Sequence, residues 1–192
     1  MNHSKVALFS AAVAAIALFV GVASAAERAG VRMPDTMDAR GQNFVLNGLG
    51  VREATMFNVD VYVAGLYLRQ RSSEPSQILK ADEPKVLHMV FVRDVSRDQM
   101  VEAWREGFVK NDRSHFIGLQ SRITQLGTWM ADRKKSATLT FSYLPGEGVE
   151  VRVDGAVKGT LAGDDFAQAL FSIWFGPQPP NKGLKAGLLG RS

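Results

Sequence analysis

Arg52 and Tyr62 are the two side chains whose types and placement offer chemistry. Tyr62 lies inside Met56–Leu68 (MFNVDVYVAGLYL), a nearly unbroken apolar run, and Arg52 stands a few residues upstream. An arginine keeps its charge inside a protein and can hold a carboxylate through two parallel hydrogen bonds. A tyrosine hydroxyl donates and accepts on an apolar body, which suits it to fixing one oxygen in a greasy pocket. Together the pair would polarise a carbonyl or grip the head group of a long acid. The plainer alternative is a surface arginine paired with Glu53 and a packed tyrosine. Tyr67, on the same run, is expected in the core.

Other chemistries are excluded by motif. There is no phosphate-cradling Gly-Lys-Ser loop, no Gly-x-Gly-x-x-Gly and no Gly-x-Ser-x-Gly elbow. Beyond the first 25 residues only His88 and His115 remain; they lack metal-ligand spacing, and the chain has no cysteine. No metal or other cofactor is expected. His88 falls in an apolar strand and fits a satisfied structural histidine. His115 follows the polar loop Asn111–Ser114, where it caps a helix or is solvated.

These candidates must be positioned by the elements around them. A run that is apolar on both faces has to be covered on both, so Met56–Leu68 is expected as a central strand. Before it, Phe44-Val45-Leu46 predicts a short strand, Asn47-Gly48 a turn, and Val51–Met56 a further strand. Ser72–Pro75 marks a turn and Ser76–Lys80 a short helical turn. Val86–Val95 is strand-like again. Ser96 with Gln99 three residues on is a capping box, so a helix starts there, with Met100, Val101, Trp104 and Phe108 at helical spacing. Phe116, Leu119, Ile123 and Leu126 make a second stripe. From Ser136 the period becomes two, and Asp154-Gly155 is a hairpin signal within a three-stranded meander. A last long helix begins near Asp164 with Phe166, Leu170, Ile173 and Trp174 buried, and Gly176-Pro177 stops it. Leu184 and Leu188 share the face of a short final helix. The fold class is α+β: one domain, an antiparallel sheet with helices packed mostly on one side.

Residues 1–25 have the pattern of a secretory signal peptide: Lys5, the apolar run Val6–Val22, then the small-x-small box Ala23-Ser24-Ala25. The expected organisation is a leader over 1–25, an irregular polar lead-in over 26–40 and a domain over 41–192. Removing 25 residues from 192 leaves 167, enough for a real core without disulfides. Export without cysteine fits a bacterial periplasm. No later segment is apolar and long enough to span a bilayer. The whole chain carries 23 basic and 19 acidic side chains, and only Lys5 is lost with the leader. So small a surplus gives no case for nucleic acid or an anionic membrane. Arg93, Arg97, Arg105 and Lys110 are interleaved with Asp94, Asp98, Glu102 and Glu106, the pattern of a solvated helix face.

Gly50-Val51-Arg52, Val61-Tyr62-Val63-Ala64-Gly65-Leu66-Tyr67-Leu68 and Phe91-Val92-Arg93-Asp94-Val95 resemble the chalcone isomerase-like family, its bacterial members most. Leu161-Ala162-Gly163 through Ile173-Trp174-Phe175-Gly176 and the closing Leu184–Gly190 are similar to that family's end. The resemblance implies an open-faced sandwich, a sheet with a helical layer and a ligand cleft between them. The family holds enzymes closing a chalcone by intramolecular oxa-Michael addition, fatty-acid-binding proteins and noncatalytic members. Arg52 matches the arginine that orients the phenoxide in the enzymes, so it is the one catalytic candidate if the chain is an enzyme. Tyr62 stands nearest the strand position of a catalytic threonine, so that polar group is replaced. The helix after Arg93-Asp94 offers Trp104, Arg105 and Phe108, with Lys110 and Asn111 at its end, instead of the enzymes' Lys, Tyr and Asn set. The expected function is binding of a small apolar carboxylate or carbonyl ligand, fatty-acid-like, without catalysis. Arg52 would take its head group, Tyr62 would donate a hydrogen bond, and Trp104 and Phe108 would line the cleft. An isomerase acting through Arg52 is the alternative, and a structural or partner-binding protein with a vestigial cleft the third.

Overall fold

A computed structural model describes residues 25–54 and 59–191. The leader, apart from Ala25, and the Thr55–Asn58 stretch, which includes the first residues of the apolar run, lie outside the described residues. Seven antiparallel strands pair in chain order: β3 (Thr36–Ala39), β4 (Gln42–Ala54), β5 (Val59–Leu68), β6 (Lys85–Phe91), β7 (Thr138–Leu144), β8 (Gly148–Val153) and β9 (Ala156–Leu161). Helix α1 (Pro75–Lys80) joins β5 to β6, and α2 (Arg97–Asn111) with α3 (Phe116–Thr128) joins β6 to β7. After β9 come α4 (Asp164–Phe175) and α5 (Lys182–Leu188). A separate hairpin, β1 (Ala25–Arg28) and β2 (Val31–Pro34), precedes the sheet.

Strand β5 is buried on both faces, as its composition requires. Tyr62, Ala64, Leu66 and Leu68 point to the helices and join Met89, Phe141, Val151 and the α4 residues Phe166, Leu170 and Trp174 in the main core. Val63 and Tyr67 point the other way, into a second cluster with Met33, Phe44, Leu46 and Leu49. Residues 26–40, expected as an irregular lead-in, are therefore three short strands, and the β1–β2 hairpin supplies the second cover. Met33 is 1% exposed and packs over Gly65, where an added Cβ would collide with its sulfur. The Tyr67 hydroxyl donates to Pro34 O at 3.0 Å and ties the hairpin down. Four-residue strands carrying Glu27, Arg28 and Arg32 on exposed positions are too short to show a period.

The Asn47-Gly48 turn is also replaced. β4 runs unbroken for 13 residues, with an irregularity that leaves Asn47 without a partner on β5. Its buried amide donates to Ser72 O (3.0 Å) and Leu188 O (2.8 Å) and accepts from Ser72 N (2.7 Å). Those bonds make the position a bulge and not a reversal. On the same face, Gly48 and Gly50 lie against the backbone of Gly187 and Leu184, so α5 crosses β4 where no side chain intervenes.

Other expectations hold. Ser96 and Gln99 close the capping box, each side chain meeting the other's backbone N–H at 3.2 Å. Asp154 (φ 50°) and Gly155 (φ 78°) make the two-residue turn between β8 and β9, both in the left-handed region a primed hairpin turn needs. The charged face of α2 forms exposed pairs, Arg97–Asp98, Arg105–Glu102 and Lys110–Glu106. No helix among the described residues is long and apolar enough to cross a membrane.

Candidate functional site

A cleft of about 460 Å³ opens between the helix-facing side of β5–β6 and helix α2. Its floor is Tyr62, Met89 and Phe91; α2 covers it with Met100, Ala103, Trp104 and Gly107; Ile173 of α4 closes the back. Arg52, Arg93, Lys110 and the segment Gln178-Pro179-Pro180 stand around the mouth.

Backbone periodicity sets Arg52 there. Gly48, Gly50 and Arg52 share one face of β4, and α5 fills the space above the two glycines. Arg52 is the next position on that face, beyond the helix. Opposite it, Arg52 pairs with Tyr62 and Glu53 with Asp60, leaving Val61 as a bulge. The bulge turns both Val61 and Tyr62 to the cleft. The half-buried Arg52 guanidinium donates to Glu53 O, its neighbour's backbone carbonyl. No carboxylate pairs with it among the described residues, so the alternative of a surface pair with the Glu53 side chain is not formed.

Tyr62 is 8% exposed, and its ring meets Phe91 edge-on at 5.8 Å. Its hydroxyl oxygen accepts a hydrogen bond from Trp174 Nε1 at 2.9 Å. Burial pushes its pKa up to about 12, against that hydrogen bond and the Arg52 charge. The phenol is therefore protonated at neutral pH. Its own O–H has no acceptor among the described residues. One lone pair is used by the indole, and the hydrogen is left for the cleft.

Trp104 lines the cleft and stands edge-on to Phe141 at 5.7 Å. Phe108 does not line it: one turn further along α2, it is fully buried against Phe166, centroids 5.9 Å apart. The reason is the helix crossing at Gly107, where a Cβ would lie 2.8 Å from Ile173. α2 descends onto α4 at that point, and the same apolar stripe changes from cleft wall to core. Lys110 sits at the rim, paired with Glu106 at 2.8 Å. Asn111 is engaged by the backbone of Gln178.

His88 lies half-buried on the other face of the sheet, its Nδ1 2.8 Å from Thr140 Oγ1, and burial pushes its pKa down. Its ring is hydrogen-bonded within the sheet, as a satisfied histidine would be. His115 is exposed, 2.6 Å from Asp112, and its side chain caps no helix. The described residues contain no cluster of three potential metal ligands. Sequence reasoning missed Arg93, the strap Gln178-Pro179-Pro180 and the Trp174–Tyr62 bond. Trp174 was legible as a buried helix residue, but nothing in its spacing pointed to a partner 112 positions away.

An antiparallel meander with helices on one face and a cleft beneath them is the α+β architecture of chalcone isomerase-type proteins. The chain belongs to the chalcone isomerase-like family, whose model matches residues 25–190. Its fold is similar to the crystal structure of a fatty-acid binding protein from Arabidopsis thaliana, with a TM-score of 0.69 and 16% identity. That similarity covers 86% of this chain and 96% of the plant protein. No curated protein sequence matches the chain.

Proposed function

We propose that the cleft binds an amphipathic acid, of fatty-acid type, without transforming it. The observation that carries this is the pairing of a buried, protonated Tyr62 hydroxyl, fixed by Trp174, with the carboxylate-free Arg52 at the mouth of a cleft that is apolar at its floor and charged at its rim, where Arg93, Asp94, Glu106 and Lys110 stand. Arg52 takes the carboxylate through two parallel hydrogen bonds, Tyr62 donates to one oxygen, and the alkyl part lies against Met89, Phe91, Met100 and Trp104. The volume falls in the range of about 300–1,000 Å³ typical of small-molecule sites. The similar plant structure is that of a fatty-acid binding protein, which agrees with this ligand class. The leader pattern over residues 1–25 supports export to a periplasm, and N-terminal sequencing of protein from that compartment should begin at Ala26.

The test is native mass spectrometry of protein purified from the periplasm, followed by titration with a dansyl-labelled undecanoic acid. A stoichiometric acid should be carried by the wild type. Arg52→Met should weaken probe binding by about 10- to 100-fold, the loss of a charged hydrogen-bonded contact of roughly 1.5–3 kcal/mol. Equal binding by Arg52→Met refutes the proposal. The position of Arg52 after Gly50-Val51 favours one second reading, ring closure of a chalcone with Arg52 stabilising the phenoxide. Saturable chalcone turnover that is lost in Arg52→Met would replace the first reading.

A further inference from the structure

We propose that residues 176–181 form a strap gating the cleft, with Asn111 and Asn181 as the latches that hold it shut. The proposal rests on the ligand-binding reading above and adds control of access to that site. The strap joins α4 to α5, and its Gln178, Pro179 and Pro180 line the mouth. Pro177, Pro179 and Pro180 carry no N–H, so the strap has too few donors to pair with a strand as a ladder.

Side-chain amides hold its two ends instead. Asn111, the last residue of α2, donates from Nδ2 to Gln178 O (3.0 Å) and accepts the Gln178 N–H at Oδ1 (2.9 Å). Asn181 donates from Nδ2 to Val51 O (3.1 Å) and accepts the Glu53 N–H at Oδ1 (3.3 Å). Val51 and Glu53 flank Arg52, so the second latch grips the strand on either side of the proposed head-group residue. Lys185 adds one bond, from Nζ to Gly176 O at 2.7 Å.

Pro177 and Gln178 are exposed, whereas α4, to which they are joined, is buried over most of its length. Side-chain-to-backbone bonds at a surface are individually weak, and a proline-rich segment is stiff. The strap is thus built to release as a unit while the core stays folded. Asn111 and Asn181 are positioning residues: neither lines the cleft, and each acts through the strap.

Stopped-flow binding of dansyl-labelled undecanoic acid to the wild type, Asn181→Ala, Asn111→Asp and Arg52→Met tests the gate. Both latch variants should raise the association and dissociation rates together, each by about tenfold, with Kd moving less than about threefold. Arg52→Met should raise dissociation alone. Latch variants with wild-type rates, while Arg52→Met still weakens binding, overturn the strap and leave the ligand-binding reading standing. If the wild type binds no probe, that reading fails, and amide hydrogen exchange decides the strap. Gln178 and Glu53 amides exchanging faster than β5 amides, and faster again in the variants, support a local opening. Exchange at the β5 rate overturns it. Asn111→Asp keeps the side chain's size and an acceptor, and so carries the test if Asn181→Ala does not fold.

Discussion

Replacing Tyr62 by phenylalanine removes one oxygen and leaves the ring, its burial and its edge-on contact with Phe91 in place. The atom lost is the acceptor for Trp174 Nε1, on a side chain that is fully buried. An indole N–H donates only, so it cannot turn to another role. Leaving a buried donor unsatisfied costs about 1–3 kcal/mol. The phenol is neutral at ordinary pH, so no lost charge adds to this. For a chain of this size each kcal/mol lowers Tm by roughly 2–4 °C. Tyr62→Phe should therefore melt about 2–12 °C below the wild type. In urea the midpoint should fall with the slope unchanged, because no additional surface is exposed. A double-mutant cycle isolates the bond: Tyr62→Phe, Trp174→Phe and the pair should show a coupling of about 0.5–3 kcal/mol. A Tyr62→Phe protein within about 0.3 kcal/mol of wild type, with no coupling to Trp174, refutes the argument. It would mean that water reaches the indole and that this end of the cleft is wet.

Three further predictions test the frame around the site. Gly50→Ala puts a methyl inside contact distance of Leu184 O, a backbone atom that cannot swing aside; it should cost about 1–3 kcal/mol in urea melts and expose residues 182–190 to limited proteolysis. Asn47→Ala strips the partners from Ser72 and Leu188 and should cost about 2–3 kcal/mol, with unfolding again the measurement. The pH profile carries a sign. Burial pushes the Lys85 ammonium down to about 8, against Asp82 and Glu83, so above that pH the unfolded chain binds more protons and stability rises. Burial pushes Tyr62 and Tyr67 up to about 12, so above about pH 10, where unfolded tyrosine ionises, stability falls. Denaturant melts should show a climb from about pH 8 to about pH 10 and then a decline. Lys85→Met should lose most of the climb, Lys185 being the other ammonium that burial pushes down, and a flat wild-type profile would refute it.

Much of the frame was legible because it rests on local signals. The Ser96–Gln99 box, the Asp154-Gly155 turn and the alternation from Thr138 onward each specify their own few residues, and the structure keeps them. The failures are places where distant partners override a local signal. Asn47-Gly48 has turn chemistry, but its amide finds Ser72 and Leu188, and the chain runs straight on. The β1–β2 hairpin is invisible as a pattern because one methionine, Met33, provides its fully buried contact. At the site, the placing of Arg52 and Tyr62 across from each other follows from strand pairing that the apolar run suggested. Trp104 and Phe108 share one helical stripe, and only the crossing at Gly107 separates wall from core. The latching asparagines carry no signature at all, since their partners are backbone atoms far away in the chain.

The crossing of α5 over the two glycines of β4 has a consequence for the order of events in folding. Leu184 and Gly187 are made long after Gly48 and Gly50, yet they cover those two positions beside Arg52. Contacts between segments this far apart in sequence close late, because the intervening loop must be ordered first. A nascent chain halted before Leu184 would hold β4 and β5 with an open stripe of backbone beside them. Such a chain offers a landing place for any passing strand or helix, which is an aggregation hazard. The face of β4 that carries Arg52 is therefore covered only once α5 has been made and has docked.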